Sequence, residues 1–307
     1  MVFNLKGFFV TLLVLSTNYP IGLIVYRLGH RLLMPGSGVR FSVRSPFSAS
    51  TRSVIIILMQ TVYDVQRFFQ YDYIYFDLLF LIIWLAILFW KKEYGAILFA
   101  TIISPVIYFI DAQVWWNNKV NGVYIREYWI NNIQLPHPLG DFFWMKFGAD
   151  FMMTISYSLF TFAWIWLAFK YIKNKSYKRL IKYTLIWFSF WIMVPVLSFV
   201  LDINNTIVHS VRHMNSQYGL WITMTVVSFI ILLIIYWKNK QIILKLFLIG
   251  IIAALIMEFP LYIFNIREMG IKILFFDAIF MINQSIPLLY LIYDKALRKL
   301  NSREGLK

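Results

Sequence analysis

The chain has 307 residues, of which 61% are hydrophobic, 20% aromatic and only 14% charged. Soluble chains carry about 25% charged residues, so water is excluded as the solvent for most of this surface and a polytopic helical membrane protein is implied. The net charge of +15 sits mostly in short runs between apolar segments, which fits anionic lipid headgroups rather than nucleic acid, and the lack of cysteine excludes a disulfide framework or thiolate zinc site.

In chain order, residues 1–53 read as a hydrophobic and basic extension, followed by a seven-helix transmembrane domain over 54–307. The stretch "GFFVTLLVLSTNYPIGLIVYRLGH" has the length of an eighth span or an uncleaved signal. Arg27, Arg31, Arg40, Arg44 and Arg52 follow with no acid among them. If 7–28 spans, that basic stretch falls outside, against the positive-inside rule. Pro35, Gly36 and Gly38 then read as irregular chain. Two readings stay open: an anchor, signal or targeting segment, and a peripheral, disordered extension.

Seven apolar runs come next, near 71–90, 95–115, 147–171, 181–203, 219–237, 242–265 and 271–293. Each approaches the roughly 20 residues a helix needs to cross the hydrocarbon core. Lipid offers the backbone no partners, so helices are the only sensible form, and the expected fold is an all-α, seven-helix bundle. Basic residues follow every second helix: Lys91 and Lys92, then Lys170 to Lys182, then Lys238, Lys240 and Lys245, then the tail from Lys295. That alternation places the C-terminus and the basic turns in the cytoplasm. Residues 60–70 and the loops 116–146, 204–218 and 266–270 are expected on the other side.

The acids fall on that same non-cytoplasmic side. Asp77, Glu258 and Asp277 lie within spans one, six and seven, roughly 9–10 Å below the boundary at 1.5 Å per residue. Asp111, Asp150 and Asp202 sit shallower. A charge well inside a span costs roughly 2.5–3.5 kcal/mol on insertion scales, so several at one level suggest a shared outward-facing polar pocket. Polar neighbours recur at helical spacing: Asp150 with Thr154 and Tyr157, Glu258 with Tyr262 and Asn265, Asp277 with Gln284. The bland alternatives are interface residues for the shallow acids and interhelical hydrogen bonds for the deep ones.

Other patterns are weaker. "HSVRH" puts His209 and His213 at a spacing that serves one metal on a helix, but it falls in an expected loop without a zincin glutamate, so no metal site is expected. Helix seven has no lysine in its core, only Lys272 at its mouth, so a retinal Schiff base has no attachment point. Trp84, Trp164, Trp166, Trp187 and Trp191 lie mid-span, either as packing and lipid-facing residues or as pocket walls whose ring faces steady a cation.

Three stretches carry a family likeness: "KKEYGAILFATIISPVIYFIDAQVWW", "DFFWMKFGADFMMTISYS" and "IKILFFDAIFMINQSIPLLYLIYDKALRK". A charged turn with a Tyr-Gly pair, an aromatic-rich helix start before an acid, and an acid in a last span with a basic tail resemble the integral-membrane terpene cyclases of fungal meroterpenoid and indole-diterpene pathways. The resemblance covers about residues 69–307. Where the family carries a Trp-Glu pair after an Asn, this chain has Val106-Ile107-Tyr108, and Asp111 follows about one turn later. The resemblance implies a seven-helix enzyme that protonates a prenyl lipid drawn from the bilayer and cyclises it through carbocations, with no metal or cofactor. It implies Asp111 and Asp277 as the acid and its partner, with Asp150 by pattern and Glu258 as a substitute. Asp77 joins them as a candidate by depth alone.

Two other classes fit the composition. An ion-coupled or small-molecule transporter would use broken helices, for which Pro105, Pro195, Pro260 and Pro287 are suitably placed. A receptor or assembly subunit would use the acids only to lock helices together.

Overall fold

A computed structural model describes residues 65–120, 122–268 and 270–304; the expected extension 1–53, with its possible eighth span, lies outside the described residues. Among the described residues, six helical segments are long and apolar enough to cross a bilayer. α1 (Asp72–Trp90) is followed by α2 (Tyr94–Tyr108), which continues through a π-helical turn at Phe109–Val114 to Asn117. α3 (Phe143–Asp150) runs through a second π turn, Phe151–Ser156, into α4 (Tyr157–Lys173). α5 (Tyr177–Leu201), α6 (Asn215–Ile235) and α7 (Lys240–Ile263) complete the set. At 1.5 Å per residue α1 is about 28 Å long, close to the hydrocarbon thickness.

The seventh expected span is broken. α8 (Ile271–Phe280) and α9 (Ile286–Glu304) are separated by a turn, and α8 alone reaches only about 15 Å. Six of the seven expected spans are unbroken helices among the described residues, and the seventh run, 271–293, is divided by a turn. The cause is local. Asn283 Nδ2 donates to Ile279 O, Gln284 Nε2 to Met281 O and Ser285 Oγ to Ile282 O, so three successive side chains compete for helix carbonyls. Pro287 then brings no N–H to rejoin the ladder. The turn docks on α7 at Gly250, where a Cβ would lie 2.0 Å from Asn283 Oδ1.

α4 is the central helix, in contact with α1, α2, α5, α7 and α9. It buries Phe160, Phe162, Ala163, Trp164, Ile165, Leu167, Ala168 and Phe169 around its whole circumference, as a helix surrounded by others must. Trp84, Trp164, Trp187 and Trp191 are all fully buried in this core, so these mid-span tryptophans pack the bundle rather than face lipid. Trp164 Nε1 donates to Thr184 and Trp191 Nε1 to Met257 O. The outer helices show Phe199, Trp90 and Ile234 at 85%, 76% and 71% exposure. A girdle of that size is what a lipid-facing surface requires.

The all-α expectation fails in the connecting segments. Residues 65–70, 126–134, 207–212 and 267–268 meet at one end of the bundle, as their shared side predicts, but they form an antiparallel sheet rather than loops. In chain order its strands are β1 (Val65–Gln70), β2 (Arg126–Ile130), β3 (Ile133–Gln134), β4 (Ile207–Arg212) and β5 (Arg267–Glu268), and their spatial order is β3-β2-β4-β1-β5. Both edge strands are two residues long, which leaves little edge to pair with other chains. A separate two-stranded pair, Lys119–Val120 with Val123–Tyr124, lies before β2.

Strand alternation sorts the side chains by face. On the outer face Phe68, His209 and Trp129 stack across three strands, with centroids 4.0 and 4.8 Å apart. On the bundle face lie Val65, Arg67 and Phe69 of β1, Arg126 and Tyr128 of β2, and Ser210 of β4.

Candidate functional site: an arginine and carboxylate layer beneath the sheet

The sheet register creates an electrostatic problem. Arg126 on β2 stands directly opposite Arg212 on β4, and Arg67 on β1 directly opposite Arg267 on β5. Like charges in that relation repel. The bundle supplies the remedy. Asp111 receives Arg126 through one carboxylate oxygen at 2.6 Å and Arg212 through the other. Glu258 receives Arg267 through one oxygen and lies 3.8 Å from Arg67 through the other. Asp277 is a second partner for Arg267, at 2.6 Å. Asp111 thus bridges the first opposed pair, and Glu258 faces both members of the second while binding Arg267 alone.

Local backbone aims these acids. Asp111 lies in the π turn that ends α2, and Arg126 also donates to its main-chain carbonyl at 3.1 Å. The π turn after α3 presents Met153, whose Sδ accepts from Arg126 at 3.6 Å and from Ser210 at 3.5 Å. Single π turns inside α-helices often occur at functional sites. Glu258 lies near the end of α7 and also accepts from Tyr157 of α4.

Asp150 belongs to an adjoining cluster. Lys146 Nζ reaches Asp150 at 2.5 Å and the Ala112 carbonyl at 2.9 Å, and Tyr128 donates to the same carboxylate at 2.6 Å. Lysine, aspartate and tyrosine are all buried.

Asp77 differs from the rest. It is fully buried in α1, and neither oxygen has a hydrogen-bond partner among the described residues. Ser156 Oγ lies beside it, near hydrogen-bond reach but outside good hydrogen-bond geometry. Tyr73 and Trp84, at four and seven residues' spacing from Asp77, share its helix face. The Tyr73 hydroxyl, Trp84 Nε1 and Ser156 Oγ are likewise buried without a hydrogen-bond partner. Three such groups on α1, with Ser156 of the neighbouring π turn beside Asp77, stand out, because buried polar atoms are normally paired.

The strand arginines respond to this setting. Burial works against the Arg126 cation, yet Asp111, Tyr128 and Asp150 raise its pKa above the usual arginine value. Arg267 is likewise penalised by burial, and Glu258 and Asp277 raise it well above that value. Arg212 goes the other way. Burial pulls it down to about 10 despite Asp111, and Arg126, Arg67 and Arg267 add to the drop.

The structure thus brings Asp111, Glu258 and Asp277 into one layer with four arginines, sets Asp150 beside it, and leaves Asp77 apart. The sequence reading locates the layer by its acids but gives an acidic pocket; the observed layer is paired throughout by cations from the strands. Arg67, Arg126, Arg212, Arg267 and Lys146 were not among the expected site residues. A signal was present: "VQRFFQ", "REYWI" and "IVHSVR" alternate as strands do and carry an arginine on the buried parity.

The histidines also change meaning. His209 lies within β4 and His213 just past its end, so four residues separate them by about 13 Å along extended chain rather than one helical turn. His209 stacks on Phe68 and Trp129, and His213 pairs with Glu127. His137 is sandwiched between Trp116 and Tyr124, at 3.7 and 3.6 Å between centroids. No group of acids and histidines suited to a metal ion occurs among the described residues.

The chain is an integral membrane protein by the length and apolarity of six helices among the described residues. No protein-family model, curated protein or solved structure matches it.

Proposed function

We propose that this multi-pass membrane protein acts on a prenyl lipid within the bilayer by acid-initiated carbocation chemistry, with Asp77 as the proton donor. The supporting observation is the setting of Asp77, a fully buried carboxyl with no cation on it, among unpaired polar atoms and aromatic rings. Asp111, Asp150, Glu258 and Asp277 each face a guanidinium or ammonium, so their part is to hold the sheet on the bundle above it. In the proposed step Asp77 gives its proton to an epoxide oxygen or an alkene carbon of the prenyl chain. An epoxide oxygen takes the proton on a lone pair and its C–O bond then breaks with the electrons going to oxygen, whereas an alkene takes the proton with its π pair; either leaves a carbocation, which a second alkene attacks to close a ring. Proton loss from the last cation restores the acid, so the sum is an isomerisation. Tyr73, one turn from Asp77 on the same helix face, offers its ring to the cation, an interaction worth about 2 kcal/mol when desolvated. The sheet end is assigned to the non-cytoplasmic side from the basic turns at the other end.

Lipid extracts from cells with and without the protein test this reading. A cyclised prenyl product is expected with wild type and lost in Asp77→Asn at equal protein level. Identical lipid profiles in cells with and without the wild-type protein would rule the reading out.

A carrier is the second reading, favoured by the break between α8 and α9 at the buried Asn283. Discontinuous helices at mid-membrane are a mark of secondary transporters. Protein in liposomes that leaves lipids unchanged but moves a solute or protons would select it.

A further inference from the structure

Arg67, Arg126, Arg212 and Arg267 meet around one recess between the sheet and the bundle, completed by Val65 and Ser210. Its enclosed volume is only about 10 Å³, room for about one water, so an ion of a few atoms would lie at its mouth, beside Arg212. Four guanidiniums face it, and three carboxylates, those of Asp111, Glu258 and Asp277, contact them. Asp77 has no hydrogen bond or ion pair with any of the four. One positive charge is therefore left over.

Arg67 carries that excess. Its nearest acid oxygen, on Glu258, is 3.8 Å away, beyond hydrogen-bond reach, and Glu258 is already engaged by Arg267 and Tyr157. Its remaining contact is the ring of Tyr157, 5.8 Å from the guanidinium carbon to the centroid. Its side chain is only 8% exposed, so a cation with up to five donors is buried with no hydrogen bond among the described residues. Ser210 is equally underused, since among the described residues its hydroxyl meets only the Met153 sulfur, at 3.5 Å. Arg212 keeps 15% exposure, so the recess reaches the surface past it.

We propose that this recess binds a phosphate-class oxyanion, held by the fork of Arg67, the Ser210 hydroxyl and the flanking Arg212. Guanidinium forks match tetrahedral oxyanions bidentately, and a single anion balances the layer. The ion is either free phosphate or the phosphate of a lipid headgroup, which share this chemistry. The site is independent of the Asp77 reading and stands if that chemistry fails.

Thermal unfolding of the full chain in nanodiscs separates the outcomes. In zwitterionic nanodiscs, inorganic phosphate is expected to raise the midpoint with concentration, as a ligand of the folded state does, while chloride at equal ionic strength does not. Arg67→Gln and Ser210→Ala should each weaken the apparent affinity about tenfold or more, a loss of about 1.4 kcal/mol, and Arg67→Lys less than Arg67→Gln. If phosphate has no effect but phosphatidic acid in the nanodisc stabilises wild type and not Ser210→Ala, the site holds and its ligand is a headgroup. Should Arg67→Gln fail to fold, Ser210→Ala decides alone. The proposal is overturned if neither probe stabilises wild type, or if both substitutions leave the stabilisation unchanged.

Discussion

Arg126 and Arg212 stand opposite each other on neighbouring strands, and both bind the carboxylate of Asp111. Strand register alone makes that pair repulsive, and a helix acid turns it into a clamp between sheet and bundle. At the second opposed pair Arg267 binds Glu258, while Arg67 stays 3.8 Å from that carboxylate. The sheet's inner face and the helix ends are therefore complementary in charge, and neither half is satisfied without the other.

The break in the last segment should show in paired substitutions. A Cβ at Gly250 would meet Asn283 Oδ1 at 2.0 Å, and overpacking of that kind costs about 1–3 kcal/mol. Gly250→Ala should lower the unfolding midpoint, and adding Asn283→Ala should recover most of the loss. An unchanged midpoint in Gly250→Ala would place the turn elsewhere.

Topology is testable with little background, because the chain has no cysteine. Gln134 at the sheet end and Lys178 and Lys238 at the other are all exposed. A membrane-impermeant maleimide on intact cells is expected to label Gln134→Cys, and to label Lys178→Cys and Lys238→Cys only after permeabilisation. Labelling of all three from one side would contradict six spans.

Two histidines should titrate low. Burial lowers the pKa of His209, with Glu268 opposing, and burial together with Lys146 and Lys119 lowers that of His137 against Glu127. A base whose folded pKa is depressed binds fewer protons folded than unfolded. Stability is then lost as pH falls from about 6.5 toward the folded value, and levels off below it. NMR titration of the two rings should give midpoints below the ordinary histidine range. Midpoints above it would show that the rings are not stacked and shielded as described.

The bundle was legible because spanning helices need long apolar runs, and those runs were plain from 71 to 265. The acids betrayed their common level for the same reason: Glu258 and Asp77 interrupt runs that tolerate few charges. The sheet was hidden by its size. "VQRFFQ" and "REYWI" are too short to rise above loop composition, and their pairing joins segments far apart in sequence. With the strands unseen, the arginines read as loop charges, and the acids could only be read as facing one another. The break at Asn283 lay in plain letters, "NQSIP", but its side chains' competition for carbonyls showed only in the structure.

The clamp at Asp111 is the claim on which the rest depends, and a double-mutant cycle tests it most directly. Thermal unfolding would be compared for wild type, Asp111→Asn, Arg212→Gln and the pair. Removing Asp111 leaves two buried guanidiniums opposed, a loss of about 3–5 kcal/mol, and removing Arg212 as well should restore part of it, with a coupling of about 0.5–3 kcal/mol. Additive losses in the double variant, with no coupling, would contradict the clamp.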